Sequence, residues 1–412
     1  MSSPPSAPDI AQDAAGPAAP PARSGWRALA QRFWPILSLF LASRFALLVV
    51  GLLTQILIQP GSAFRNTLHL SKKPALNLWG AWDSGWYHAI ATAGYDAHPQ
   101  ANGWVDWAFF PAYPAISAAL AGLTHAPVFT AMLAVSNLSF LGALFLLHRA
   151  TEDAFDRRAA DAVAVLFCAV PGSYIFSSAY TESLFLLAVA GCLALMRRRR
   201  WLAAGACAAL ACLTRNVGIG LLLPLAFAGL PLVWRTGRAL LRREQPSRAE
   251  WGESLRVVAA LGLPFLALAG FAAYLDLRTG DPLAFLSAQK AWGRSIGNFL
   301  AAPIGDILHP ERLSDQDLIS FAACWLSLAL IVVLAAMRRW SLLLLACFLA
   351  FIPLSAGLGS YQRYALVNAP LFMAAAGLLA GRPIALGCVV VAFATLNGLM
   401  MAAWALGLPV VT

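Results

Sequence analysis

Apolar runs recur along almost the whole chain, at lengths close to the about 17–25 residues a helix needs to cross hydrocarbon. They fall at roughly 34–58, 127–148, 160–177, 182–196, 201–213, 217–234, 255–275, 318–337, 341–357, 363–380 and 384–408, with a shorter stretch at 111–125. Inside a bilayer every backbone polar group must be satisfied internally, so only helices and closed barrels span it. These runs exceed the about 9–11 residues of a membrane strand. The pattern predicts an all-α polytopic membrane protein with about 11 transmembrane helices. The segments 201–213 and 182–196 are short for a full crossing and read as tilted or as flanking a wet cavity.

Composition excludes much else. Of 412 residues 60% are hydrophobic and 12% charged, against about 25% charged in soluble domains. Residues 1–25 are rich in Ala, Pro and Ser, carry no apolar run, and read as a disordered cytoplasmic tail with no cleaved leader. Residues 26–412 then form one transmembrane domain. The seven cysteines lie within apolar segments at no metal or disulfide spacing. The formal charge of +10 is not a nucleic-acid signature, because the basic residues sit between spans. The Ala- and Arg-rich, Lys-poor composition fits a bacterial inner membrane.

With the N-terminus placed in the cytoplasm, 19 of the 29 basic residues fall inside, including the run Arg197–Arg200, as the positive-inside rule requires. The consequence is what falls outside. A large first loop (59–108), the turns at 180–183 and 213–216, a second large loop (276–317) and the turn at 359–368 all reach the extracytoplasmic face. Every polar cluster with chemical potential converges on one side.

The first of these loops holds WDSGWYHAIATAGY and, shortly after, WAFFPAYP. Asp83 is a candidate general base or a plain helix N-cap, ahead of a short interfacial helix. Glu182 lies at a span mouth, positioning a substrate or pairing with Arg215, or merely starting its helix. Arg215 and Asn216 interrupt an apolar run, where an arginine needs a carboxylate or phosphate partner. Arg363 and Tyr364, with Lys290 and Arg294 of the second loop, could complete a basic pocket for a lipid-linked phosphate, or could be snorkelling anchors. Trp82, Tyr87, Phe110 and neighbouring aromatics could stack on a sugar or anchor the interface. His88 is a site-lining candidate; no histidine pair has metal-motif spacing. A divalent metal is compatible with the chemistry, but no residue pattern requires one. No nucleotide-binding motif is present, which favours a donor already in the membrane.

These blocks carry a family resemblance: Trp82-Asp83, Trp86-Tyr87, Ile90-Ala91, Gly94-Tyr95, Ala108-Phe109-Phe110-Pro111 and Pro114, then Tyr180 to Phe185, Leu213 to Asn216 with Gly218, and Arg363-Tyr364. The chain resembles the GPI mannosyltransferase 2 (PIG-V) family and its bacterial relatives over roughly residues 34–380. The resemblance implies a GT-C glycosyltransferase fold with an extracytoplasmic active site. It implies a polyprenyl- or dolichyl-phosphate sugar donor, usually of mannose, and transfer with inversion by a hexosyltransferase. The family's acidic residue in the first outer loop maps onto Asp83. The acceptor is not implied. Three rivals remain: a GT-C transferase for another lipid-linked sugar, a lipid or solute transporter, and a non-catalytic assembly subunit. A transporter predicts internal repeats and broken midplane helices, and no clear repeat is seen.

Overall fold

The computed structural model describes residues 25–58, 68–101, 103–291, 297–298, 304–305, 307 and 315–408. Those residues form sixteen α-helices and two short 3₁₀ turns, with no strand among them. In chain order the helices are α1 (Gly25–Leu57), α2 (Pro74–Asn77), α3 (Ser84–Ala93), α4 (Ala112–Thr124), α5 (Val128–Ala154), α6 (Arg157–Ala169), α7 (Glu182–Arg197) and α8 (Trp201–Thr214). They continue as α9 (Leu222–Leu241), α10 (Arg248–Thr279), α11 (Ala284–Ala291), α12 (Asp315–Ala336), α13 (Trp340–Leu354), α14 (Tyr361–Val367), α15 (Ala369–Leu379) and α16 (Pro383–Ala405). Six helical stretches are long and apolar enough to cross a membrane: Phe33–Leu57, Val128–Ala154, Asn216–Leu241, Arg248–Thr279, Asp317–Ala336 and Pro383–Ala405. Shorter apolar helices fill in between them, so the all-α polytopic expectation holds.

The centre of the bundle is α7, buried on nearly every side. A helix that is apolar all round belongs inside. Its neighbours come close through small residues: a Cβ on Gly191 would lie 2.8 Å from Cys207 Sγ of α8. One on Gly205 of α8 would lie 2.6 Å from the Ala260 backbone of α10. Small residues let membrane helices approach closely. Around this centre α1, α10 and α16 turn large apolar side chains such as Phe45, Leu266 and Val391 outward, as lipid-facing helices do.

Three runs expected as single spans are broken, each for a local reason. The 160–177 run ends its helix at Ala169; Pro171 and Gly172 (φ 90°) turn the chain into a 3₁₀ segment at Ser173–Ser177, because Pro disfavours α geometry before it and Gly accepts positive φ. The 217–234 run opens as a 3₁₀ segment, Asn216–Leu221, before α9. There Gly218 packs so tightly that a Cβ would meet the Ala211 carbonyl carbon at 2.3 Å. The 363–380 run divides at Asn368 between α14 and α15, with Pro370 in the first turn of α15. Asn368 is fully buried and donates through Nδ2 to Ala346 O at 3.0 Å.

The two ends of α7 define the two ends of the molecule. Its C-terminal Arg197 donates to the Asp153 carbonyl. Nearby, Arg198 pairs with Asp153 at 3.6 Å, Arg199 with Glu253 at 3.2 Å, and Arg339 covers Phe155. The basic segments assigned to one membrane face therefore do gather together. The N-terminal Glu182 lies about 24 Å away at 1.5 Å per residue and enters the site.

Candidate active site

The turns and loops expected on one face converge there. A cavity of about 300 Å³ is lined by Trp82, Asp83, Tyr87, Phe109, Phe110, Arg215, Asn216, Gln289, Ser360, Arg363 and Tyr364, with Ala108 and Thr214. Five separate segments thus contribute, and the predicted candidates Asp83, Trp82, Tyr87, Phe110, Arg215, Asn216, Arg363 and Tyr364 all reach it.

The charged groups form one chain. Arg215 Nη1 donates to Glu182 Oε1 at 2.8 Å and to Thr181 Oγ1 at 3.2 Å. Arg363 Nε donates to the same Glu182 oxygen at 2.8 Å, and Arg363 Nη1 donates to Asp83 Oδ2 at 2.6 Å. Glu182 is wholly buried, and both arginines are buried with it. Two guanidinium groups and two carboxylates balance in charge, which is the condition for keeping them out of water. Each arginine also lies over an aromatic face: Arg363 over Tyr180 at 4.6 Å, Arg215 over Tyr364 at 4.7 Å. Among the described residues Arg363 Nη2 and Arg215 Nε and Nη2 make no hydrogen bond, so each fork keeps donors for a further anion.

Asp83 occupies the N-cap position of α3, yet its side chain makes no capping bond. It turns to Arg363 instead and keeps a quarter of its side-chain surface open. The capping alternative is therefore excluded. Glu182 begins α7 but its carboxylate is committed to both arginines. The Arg215–Glu182 ion pair weighed as the alternative to phosphate recognition is real, and the donors left on Arg215 make the two roles compatible.

Backbone strain concentrates at the same place. Six non-glycine described residues have positive φ: Trp82, His125, Arg199, Arg243, Arg338 and Ser360. Four of them follow helix C-termini, a common left-handed position. Trp82 (φ 50°) and Ser360 (φ 60°) instead precede α3 and α14, and both line the cavity. Such conformations persist where surrounding structure over-determines them, and they cluster at functional sites.

The aromatic wall is braced from behind. Trp86 stacks on Phe109 at 5.6 Å, and Tyr95 donates its hydroxyl to Phe109 O at 2.5 Å. Tyr87 packs edge-on against Phe109 and Tyr113. Burial, then the Asp83 charge, pushes the Tyr87 phenol upward, so it remains a neutral hydroxyl facing Thr181 Oγ1 at 3.4 Å. Asp106, just behind Phe109, accepts from Asp96 N at 3.0 Å through Oδ2, while its buried Oδ1 has no partner among the described residues. Burial holds the Asp106 carboxyl up at about 6.

Some candidates fall elsewhere. His88 sits on α3 but does not line the cavity; five residues beyond Asp83, it falls on another face of the helix. The Lys290 side chain and all of Arg294 lie outside the described residues. Conversely, Gln289 and Ser360 in the lining were not singled out from the sequence, and Thr214, Tyr180 and Thr181 stood there only within the resembling blocks. Gln289 adjoins Lys290 in the loop already suspected, and Thr181 adjoins Glu182; no spacing marked either. Among the described residues no group of three or more His, Cys, Asp or Glu could hold a metal.

The described residues are those of a helical integral membrane protein that buries paired guanidinium and carboxylate groups beside an aromatic-walled cavity. The mannosyltransferase (PIG-V) family model matches residues 33–277, more than half of the chain, and the chain belongs to that family. A stretch of 101 residues is 38% identical to GPI mannosyltransferase 2 of Yarrowia lipolytica, covering 24% of this chain and 28% of that protein. Among solved structures, ArnT from Cupriavidus metallidurans bound to undecaprenyl phosphate aligns with 94% of this chain and 77% of its own at 16% identity, TM-score 0.47. The Archaeoglobus fulgidus oligosaccharyltransferase, in complex with zinc and sulfate, aligns with 89% of this chain and 53% of its own at 16% identity, TM-score 0.45. Neither structural likeness bears on the mechanism.

Proposed function

We propose that the protein is a GT-C-type hexosyltransferase that moves mannose from a polyprenyl-phosphate donor to an extracytoplasmic hydroxyl, with inversion. The acceptor is a glycan, lipid or protein of the cell envelope. Its setting is a bacterial inner membrane, with the N-terminus in the cytoplasm and the cavity opening on the outer face. The single observation that carries the reading is the Asp83–Arg363–Glu182–Arg215 chain at the cavity wall.

The donor enters from the bilayer and sets its phosphate against the unused donors of Arg215 and Arg363. Charge-assisted bonds to phosphate are short and strong, and they strengthen as the leaving group gains charge. As Arg363 turns to the phosphate, its hold on Asp83 loosens. Asp83 then takes the proton of the acceptor hydroxyl. The acceptor oxygen bonds to the anomeric carbon from the face opposite the phosphate. The bond from that carbon to the phosphate oxygen breaks, and its electron pair leaves with the phosphate. Glu182 holds both guanidinium groups in register. Trp82, Phe110 and Tyr364 pack against the sugar ring, while Asn216, Gln289 and Ser360 offer hydrogen bonds to its hydroxyls. Lys290 and Arg294 of the second outer loop serve either as further partners of the donor phosphate or as snorkelling anchors.

The test is transfer by purified protein in lipid, with radiolabelled polyprenyl-phosphate mannose and an envelope extract as acceptor. Label should reach a new product with wild type, and Asp83→Asn should lower the rate about 10²–10⁴-fold, the usual worth of a general base. Equal turnover by both proteins would remove Asp83 from the mechanism. Labelled donor crossing the bilayer without a new product would establish the transporter reading instead.

A further inference from the structure

We propose that Arg44 is a positioning residue for both carboxylates of the site, acting through the buried turn at 173–183. The assignment of those carboxylates rests on the transferase reading above.

Arg44 lies within the first membrane-spanning stretch and is buried. Among the described residues no carboxylate pairs with it. An unpaired guanidinium at that depth is costly and is retained when it does something specific. Nearly all its bonds go to one short element. Nη1 donates to Ser173 O at 2.7 Å and Nη2 to Ser173 Oγ at 2.7 Å. Longer bonds run from Nη1 to Ser177 Oγ at 3.4 Å and from Nε to Ser43 Oγ at 3.4 Å. The Phe140 ring lies 5.0 Å from the guanidinium carbon. The planar fork thus grips both ends of the 3₁₀ segment Ser173–Ser177.

That segment could not hold itself. A 3₁₀ turn of five residues has few and poorly aligned internal bonds. It also carries hydroxyls that must find partners once buried. Ser173 Oγ donates onward to Phe167 O at 2.8 Å, and Ser177 Oγ to Asn137 Oδ1 at 2.8 Å. Arg44 completes this set and ties the turn to α1.

The turn in turn sets both acids. Downstream it runs directly into Tyr180, Thr181 and Glu182, with Ser183 Oγ bonded back to Phe176 O at 2.6 Å. Sideways it grips the strand-like approach to Asp83: Ala179 N donates to Trp79 O at 3.0 Å, and the Tyr180 hydroxyl donates to Ala81 O at 3.2 Å. Asp83 and Glu182 are 99 residues apart in sequence, yet one braced turn fixes where both stand. Lysine cannot substitute, because an ammonium on a flexible stem is a point donor and not a fork.

The test is hydrogen exchange on the full-length protein in lipid nanodiscs, for wild type, Arg44→Gln and Arg44→Lys, alongside the transfer assay. Amides of Ala179 to Phe185 should exchange about tenfold faster in Arg44→Gln, equivalent to about 1.4 kcal/mol. Those of Val257 to Phe271 in α10 should match wild type. Arg44→Lys should fall between, and transfer should drop in the same order. Exchange in the turn unchanged in Arg44→Gln, or rising equally in α10, overturns the proposal; the second result would make Arg44 a general staple of the fold. If wild type transfers no sugar, the transferase reading fails while the exchange pattern still decides whether Arg44 fixes the turn.

Discussion

At one end of α7, Glu182 is sealed behind the cavity, between two arginines that line it with Asp83; at the other, Arg197, Arg198 and Arg199 reach to Asp153 and Glu253 near the surface. Both ends hold arginine–carboxylate pairs, at 2.6–2.8 Å around Glu182 and 3.2–3.6 Å at the basic end. Their energetics differ because their surroundings differ. Exposed pairs exchange one set of water contacts for another and contribute about 0–1 kcal/mol. Buried pairs carry a desolvation cost that close geometry only offsets, so a well-packed apolar substitute is often as stable. The chain therefore gains little stability from the Glu182 cluster. What the cluster supplies is a set of fixed charges beside a cavity, as the proposed transfer from a phosphorylated sugar requires. The basic end has the composition that the positive-inside rule associates with a cytoplasmic face, for which charge without fixed geometry suffices.

The largest break in this comparison should come from Glu182→Gln. It leaves Arg215 and Arg363 buried without their shared carboxylate, and breaking a buried pair from one side costs about 3–5 kcal/mol. Thermal or chemical denaturation in detergent should show that loss, together with loss of donor binding. A melting temperature close to wild type would mean that water or a neighbouring group already compensates the arginines, and the contrast between the two ends would fail.

How far the sequence foretold this contrast depended on what set each feature. The basic end was legible because the positive-inside rule acts through local composition: Arg197–Arg200 and Arg338–Arg339 sit between apolar runs. The convergence of Asp83, Arg215, Asn216 and Arg363 was legible for the same reason, since span count puts their loops on one face. The helix breaks were not. Pro171 and Gly172 do punctuate the 160–177 run, but the apolar residues on both sides hid them, and Asn368 divides a helix for a partner, Ala346, that only the fold brings near. His88, five residues beyond Asp83, falls on another face of α3 and does not line the cavity. Ser360 and Gln289 were not singled out because their places in the lining come from what surrounds them in space. Arg44 was visible as a charge within the first span, yet nothing in the chain pointed to its partner at Ser173.

A smaller effect separates the cavity's supporting loop from the exposed end. Asp106 is a carboxyl held up at about 6 by burial, against 3.8 in its ordinary state. The folded state therefore binds its proton more tightly than the unfolded chain does. Its burial costs nothing well below the ordinary 3.8, where both states are protonated, and the cost begins to grow as pH passes that value. The cost grows as pH rises through about 6 and stays constant above it. Asp106→Asn should thus stabilise the protein by about 1 kcal/mol above pH 7, once the shift is discounted for screening. The gain should shrink as pH falls from about 6 and vanish only well below 3.8. Denaturation midpoints across pH would check this, and a variant less stable than wild type at pH 8 would show that a cation or a donor satisfies the carboxylate.

The smallest effect is expected at Arg199, and it sharpens the comparison most cleanly. Its guanidinium meets both oxygens of Glu253, at 3.2 and 3.3 Å, and Glu253 also accepts from Trp201 Nε1 at 3.2 Å. The pair reaches both carboxylate oxygens, but at longer range than the Arg363 contacts of 2.8 and 2.6 Å. The Arg199 side chain is also 65% exposed, so its loss should cost under about 1 kcal/mol. Its backbone lies at φ 55° just past the end of α7, a conformation that disfavours any residue with a Cβ. Arg199→Ala should therefore be slightly destabilised, while Arg199→Gly recovers about 0.5–1 kcal/mol through relief of that strain and ends near or above wild type. Both variants should transfer sugar at the wild-type rate, because no contact runs from Arg199 to the cavity. A marked loss of stability in Arg199→Gly would mean that exposed pairs at the basic end bear weight after all, and that the difference between the ends is one of position and not of burial.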